Sequence, residues 1–318
     1  MVTWLQLFPR MQGGRLFTAM TVCLLGALLV LVSGCRAGRP AGVIDLSRLE
    51  PLPVAAAEDV IPLRVAVASI ISPQGTVDSY AELLDYLETR LGRPVELVQR
   101  RTYDEVNDLI ASGEVDMAFV CTSAYIAGER DFGMQLLVAP QVNGETVYHS
   151  LLIVPAGSAA QEMADLRGGV FAFTDPISTS GRNYPLSLVQ EMGETAESFF
   201  ERTFYTYSHD DAIRAVAQGV ADGAAVDSLV YAFAVAREPE LGERTRVIHT
   251  SPAFGMPPVV TGPHTRPQLA AELQTVLLEM AGNPEGRAAL AAAGFDGFVL
   301  VEDGDYDTVR SLAAMVNE

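Results

Sequence analysis

Residues 171–181 read Phe-Ala-Phe-Thr-Asp-Pro-Ile-Ser-Thr-Ser-Gly. An apolar strand runs into a turn of small polar residues, and the turn opens a helix predicted over 182–192. At such a start, successive backbone N–H groups form a nest for an anion, and the hydroxyls of Ser178, Thr179 and Ser180 add donors. Pro176 fixes the turn, and Gly181 permits close approach. On local pattern alone an ordinary Ser/Thr helix cap reads the same way.

The elements on either side repeat one plan. Downstream, strands are predicted at 204–207, 223–226 and 247–249, with a helix at 210–218; upstream, 150–154 is a strand. Further upstream, 63–70 alternates and is β-branched. Residues 79–91 carry Leu83, Leu84, Leu87 and Leu91 at helical spacing, closed by Gly92 and Pro94. A strand at 95–98, a helix at 102–112 and a buried strand at 116–120 follow. Thr102 and Glu105 form a capping box for that helix. Helices at 268–281, 284–292 and 306–316 end the chain. Two βαβ runs in tandem predict an α/β protein of two lobes, each with a parallel sheet, and a cleft between them.

Ligands in such sheets sit at the carboxyl ends of strands. His209, at one such end and just before a helix, either donates to an oxyanion, directly or as imidazolium, or caps its helix. Asp227 either accepts a proton from a ligand oxygen or caps the next helix. Thr122, Ser123 and Tyr125 follow the strand at 116–120 and are candidates from the first lobe, though Tyr125 is equally a packing residue. Arg100 and Arg101 are anion partners or surface residues. Cys121 reads as an inert buried thiol.

Composition removes several classes of function. The net charge is -19, which excludes nucleic acid as a partner. All 21 basic residues are arginine, so no lysine-dependent chemistry is available. No metal motif, CxxC pair or Gly-x-Ser-x-Gly elbow occurs. Arg10 and Arg15 precede an apolar run at 18–32 that ends in Leu31-Val32-Ser33-Gly34-Cys35. This resembles a bacterial lipobox, in which the cysteine is acylated. Residues 1–34 are thus expected to be an export signal, and 35–61 a lipidated Cys35 with its tether. Only Cys121 then remains as a thiol, so no disulfide is expected.

The motifs together resemble the phosphate/phosphite/phosphonate-binding proteins of ABC transporters. They are Asp175-Pro176-x-Ser178-Thr179-Ser180-Gly181, Ser208-His209-Asp210, Ala221-Asp222-Gly223-Ala224-Ala225-Val226-Asp227-Ser228, Tyr148-x-Ser150-Leu151-Leu152-Ile153-Val154, and Ser251-Pro252 before Pro257-Pro258. The resemblance spans roughly 62–300. It implies a type II periplasmic-binding fold, with lobe 1 at 62–152 plus 252–318, lobe 2 at 153–251, and two hinge crossings. It also implies that the Ser-Thr-Ser turn and His209 hold the phosphorus oxygens. The expected role is a substrate-binding lipoprotein, a monomer without cofactor, on the outer face of the cytoplasmic membrane or in the periplasm. It would hand a small phosphorus oxyanion to a permease. A sensory receptor on the same fold is the alternative, and an enzyme is not expected. Relatives that take aminoalkylphosphonates resemble one another in placing an acid where Met256 stands, so the ligand is expected to carry no amine.

Overall fold

The computed structural model describes residues 60–317. The expected export signal, Cys35 and the tether as far as Asp59 lie outside the described residues. In chain order the strands are β1 (Leu63–Val67), β2 (Val95–Gln99), β3 (Met117–Phe119), β4 (Gln135–Gln141), β5 (Val147–Tyr148), β6 (Ser150–Pro155), β7 (Val170–Phe173), β8 (Arg202–Tyr205), β9 (Gly223–Asp227), β10 (Thr245–Thr250), β11 (Phe254–Gly255), β12 (Val259–Thr261) and β13 (Gly297–Val299). The main helices are α1 (Pro73–Leu91), α2 (Tyr103–Ser112), α3 (Thr122–Phe132), α4 (Tyr184–Glu191), α5 (His209–Ala217), α6 (Ser228–Arg237), α7 (Pro267–Glu279), α8 (Pro284–Ala293) and α9 (Asp307–Asn317).

One sheet has the order β13-β4-β12-β3-β1-β2, and the other β10-β6-β9-β7-β8. Each has a parallel core: β2-β1-β3 in the first and β8-β7-β9 in the second. The remaining pairings are antiparallel. The sheets are therefore mixed, not wholly parallel as the sequence suggested. Strands such as β6 and β12 enter from the hinge side and run against the βαβ core.

Both faces of β1 are covered, as a sheet with helices on each side requires. Leu63, Val65 and Val67 pack with Leu83 and Leu87 of α1, while Ala66 and Ala68 pack with Val106 and Ile110 of α2. Each fully buried leucine contributes about 1.5–3 kcal/mol. β1 ends at Val67, short of the expected 70, and α1 starts at Pro73, ahead of the expected 79. The Pro at the first helical position has no N–H to leave unpaired. The capping box of α2 forms as read: Thr102 Oγ1 accepts the Glu105 N–H at 3.2 Å, and Glu105 Oε2 accepts the Thr102 N–H at 2.9 Å.

In the second sheet Phe171 and Phe173 pack with Phe199 and Phe200 on one face. Ala172, Ala224 and Val226 meet Ile213 and Val216 of α5 on the other. The hinge is a ribbon in which β5 and β11 pair, with Tyr148 opposite Phe254. The Ser251 N–H donates to the Ser150 carbonyl at 2.9 Å, and the Ser150 N–H to Ser251 Oγ at 2.8 Å. Helix α9 lies beside this ribbon. Its Val309 and Leu312 join Tyr148, Tyr184 and Phe254 in one apolar cluster, with Ile126 of α3 and Leu188 of α4 at its edge. The helix thus touches elements of both lobes.

Candidate functional site

The turn quoted at the outset folds as a short π-helical turn, Thr179–Asn183, leading directly into α4. Such widened turns concentrate at functional sites. Ser178 is its N-cap, and its Oγ accepts the Gly181 N–H at 3.0 Å. That oxygen is engaged locally as an acceptor, and its own O–H proton stays available to donate. The N–H groups of Thr179 and Ser180 open the turn, where no preceding helical carbonyl exists to accept them. Ser180 also gives its carbonyl to Ser150 Oγ at 2.7 Å, which pins the turn to the hinge.

From the first lobe, the start of α3 faces this turn. Thr179 Oγ1 accepts the Ser123 N–H at 3.0 Å and lies 2.6 Å from Ser123 Oγ. It also lies 3.7 Å from Cys121 Sγ. Burial raises the Cys121 thiol above its ordinary range, so the residue stays a buried free thiol. Thr122 donates its hydroxyl to the Gly255 carbonyl at 2.9 Å. Tyr125 is turned elsewhere: its hydroxyl donates to Asp303 Oδ1 at 2.6 Å, and its ring packs on Tyr306. The structure does not bring Tyr125 to the turn.

Two tyrosines to which the sequence reading gave no site role, Tyr148 having appeared only within a motif, stand beside the group. The hydroxyls of Tyr103 and Tyr148 are buried and have no hydrogen-bond partner among the described residues. Tyr148 lies near the hydroxyls of Thr122 and Thr179, outside bonding geometry. Tyr103 lies within electrostatic reach of Cys121, Asp175, Asp227 and Tyr148. Burial raises both phenols well above their ordinary range, so both remain proton donors. An unpaired buried hydroxyl costs about 1–3 kcal/mol, so a pair in one small space marks a place meant to be filled. Tyr103 stands at the carboxyl end of β2 beside its helix cap, and Tyr148 stands at the hinge. Carrying the strand-end rule two residues past Arg101 at the end of β2 would have found Tyr103.

His209 is buried, and its Nδ1 accepts the Asp227 N–H at 3.0 Å. The ring proton therefore sits on Nε2. Burial lowers its pKa to about 3, so His209 is neutral and the imidazolium reading is set aside. Asp227 caps α6, with Oδ1 accepting the Leu229 N–H at 2.7 Å and the Val230 N–H at 3.3 Å. Burial nevertheless outweighs those bonds and lifts its carboxyl to about 7. Asp175, in the turn, is likewise raised by burial to about 6, and its Oδ2 accepts the Tyr103 N–H at 3.1 Å.

The lobes meet along several such bonds. Ser72 donates its N–H and hydroxyl to Asp210 at 2.8 and 2.6 Å, and the His209 N–H donates to the Ile70 carbonyl at 2.9 Å. Burial alone would raise Asp210, but its bonds with Ser72 and Arg214 hold it below the ordinary carboxylate value. Arg101 lies 4.0 Å over the ring of Tyr207, and Arg100 bonds the Gln99 carbonyl at 2.9 Å. Neither arginine reaches the turn. Beside the polar group, a cavity of about 340 Å³ lies between the lobes, lined by Tyr80, Phe119, Asp227, Leu229 and Met256 among others.

Two α/β lobes on a two-strand hinge, with buried donors from each facing across the cleft, define a binding protein of the type II periplasmic class. The chain belongs to the family of periplasmic substrate-binding proteins of phosphonate ABC transporters, whose model matches residues 65–306. It is 28% identical to the phosphate-import protein PhnD of Mycolicibacterium smegmatis, over 73% of this chain and 78% of that protein. In fold it is similar to a binding-protein component of an ABC phosphonate transporter from Pseudomonas aeruginosa, with a TM-score of 0.77, 21% identity, and coverage of 81% of this chain and 87% of that one. It is also similar to PhnD1 of Prochlorococcus marinus in complex with methylphosphonate, with a TM-score of 0.72, 16% identity, and coverage of 80% and 98%. These relatives are transport components, not enzymes, and proteins of this class work outside the cytoplasm.

Proposed function

We propose that the protein captures a small phosphorus oxyanion (phosphate, phosphite or an alkylphosphonate) between its lobes and delivers it to the permease of an ABC importer. The observation that carries this reading is the pair of buried, unpartnered phenols of Tyr103 and Tyr148 beside the Ser-Thr-Ser turn. Converging hydrogen-bond donors suit an oxyanion held in a desolvated site. The turn N–H groups of Thr179 and Ser180, the Thr179 and Ser123 hydroxyls and the Nε2–H of His209 supply further donors. Ser178 holds the turn through its oxygen and adds its O–H as a further donor, and Thr122 acts by holding the start of α3. Asp227, when protonated, offers its own O–H to an oxyanion oxygen. Tyr125 is left out of the site. The names of the relatives, one a phosphate importer and one bound to methylphosphonate, point the same way.

The test is calorimetric titration of the protein with phosphate, phosphite and methylphosphonate, repeated on Tyr103→Phe and Tyr148→Phe. Each lost bond to a charged oxygen is worth about 1.5–3 kcal/mol, so each variant is expected to bind roughly 10- to 100-fold more weakly. Without ligand, the same variants should melt no lower than the parent, because they remove a buried unpaired hydroxyl. Parent-like affinity in both variants would place the oxyanion elsewhere.

We also propose that Cys35 carries a lipid that keeps the protein at the cell envelope. The lipobox-like ending of the apolar run supports this. Cys35→Ala should lose acylation and leave the leader uncleaved, read as intact mass and membrane partition. A variant with parent mass and partition would refute the anchor.

A further inference from the structure

Three helices of the first lobe begin at the cleft, and each takes a hydrogen-bond acceptor from the second lobe. The first N–H groups of a helix have no carbonyl within the helix to receive them. At the starts of α1 and α3, Ser72 and Cys121 make no side-chain cap of their own. For α1 the acceptor is Asp210, whose Oδ1 takes the Ser72 N–H at 2.8 Å and whose Oδ2 takes the Ser72 hydroxyl at 2.6 Å. For α3 it is Thr179 Oγ1, which takes the Ser123 N–H at 3.0 Å. The capping box of α2 leaves the Tyr103 N–H over, and Asp175 Oδ2 takes it at 3.1 Å. Asp175 and Asp210 are both buried. Asp210 is also the second residue of α5, so its carboxylate lies between two helix starts whose positive ends would otherwise oppose each other. Arg214 Nη1 fixes it from its own lobe, donating to Oδ2 at 2.8 Å.

We propose that Asp210 and Asp175 are positioning residues for capture: they cap helices of the opposite lobe, hold the two lobes shut, and set how long a ligand stays without touching it. The role rests on the oxyanion reading for what is held, while the contacts themselves stand apart from it. Asp175, Thr179 and Asp210 belong to one lobe, and Ser72, Tyr103 and Ser123 to the other. When the lobes move as bodies, the three bonds therefore form and break together. Parting the lobes strips each helix start of its acceptor and leaves water to replace it. A ligand held in the cleft leaves only through that parted state, so its release slows as the caps strengthen.

Amide hydrogen exchange of the full chain, without ligand and resolved to single residues, tests this in the parent, Ser72→Ala and Asp210→Ala. The Ser72, Tyr103 and Ser123 amides should be protected in the parent. In both variants all three should exchange about 10-fold faster or more, although neither substitution touches the bonds of Tyr103 or Ser123. In a second arm, release of inorganic phosphate, phosphite and methylphosphonate is timed by stopped flow. Both variants are expected to release each bound compound about 10-fold faster and to keep the parent's order of affinity among the three. Ser72→Ala leaves the second lobe unchanged, so it carries the test if Asp210→Ala does not fold. Faster exchange at Ser72 alone would make Asp210 a local cap and overturn the proposal, as would unprotected amides in the parent or parent-like release from both variants. If none of the three compounds binds the parent, the oxyanion reading falls, and the exchange pattern still decides the role of the caps.

Discussion

Gly181→Ala should abolish tight oxyanion binding, weakening it at least 100-fold, and should lower stability as well. A Cβ built on Gly181 would lie 1.8 Å from Thr174 Oγ1 and 2.7 Å from both Thr174 Cβ and Cγ2. Rotating the threonine does not relieve this, because its own Cβ is already too close. Thr174 is fully buried, and its N–H donates to the Gly181 carbonyl at 3.3 Å, so the two chains cannot part without opening the turn. Overpacking of this kind costs about 1–3 kcal/mol in stability, or more. The larger effect is on geometry. The N–H groups of Thr179 and Ser180 would move off the ligand together, and two bonds to a charged oxygen are worth a factor of roughly 100 or more. Titration calorimetry and a denaturation midpoint measure the two effects separately. A variant that binds within threefold of the parent would show that this turn does not hold the ligand.

Asp227→Asn should stabilise the protein strongly at pH 8 and hardly at all at pH 4. Burial lifts the carboxyl from 3.8 to about 7 in the native state. Between those values the native chain keeps a proton that the unfolded chain has released, so stability falls as pH rises through that window and stays low above it. At roughly 1.4 kcal/mol for each pH unit of difference, the ionised carboxylate costs on the order of 4 kcal/mol. Asparagine keeps an Oδ1 for the Leu229 and Val230 amides and carries no charge. The groups facing Asp227 do not blur the comparison. Tyr80, Tyr103 and Tyr148 are all raised by burial and stay neutral over this range. His209, held down to about 3, has the opposite slope: its contribution is lost as pH falls from 6.5, equally in parent and variant. Urea unfolding at pH 4, 6 and 8 gives the difference directly. A difference that is the same at all three pH values would show that Asp227 is not the titrating group.

The scaffold and part of the candidate site are readable in the sequence, for physical reasons that can be named. The capping box at Thr102 and Glu105 and the leucine spacing of α1 are local signals, and local signals survive in a linear reading. The Ser-Thr-Ser turn was legible because hydroxyl residues before a helix have few other uses. Helix α3 was not predicted. Its N-cap, Cys121, makes no side-chain cap bond, and Gly128 interrupts its middle. A Cβ there would come within 2.3 Å of Met134 Cε and 2.9 Å of Phe132 Cζ, contacts that no local pattern announces. Missing the helix also misplaced Tyr125. At about 100° per residue, position 125 lies some 200° round from Ser123, so both cannot face the turn. Tyr103 and Tyr148 escaped because a tyrosine beside a helix start or in a short strand usually packs. Only three-dimensional accounting shows that their hydroxyls have no partner.

Helix α9 gives the two lobes a third point of attachment. Two paired strands form a strap that both bends and twists. A further contact set beside that strap, on α3 of one lobe and α4 of the other, resists the twist while still allowing a bend about a line through all three. The contact is made chiefly by Val309, Leu312 and neighbouring apolar groups, with a hydrogen bond from Gln190 of α4 to the Val316 carbonyl and an ion pair from Arg310 to Glu129 of α3 beside it. Ser123 and Thr179 thus meet across the cleft of a body tied at three places rather than two.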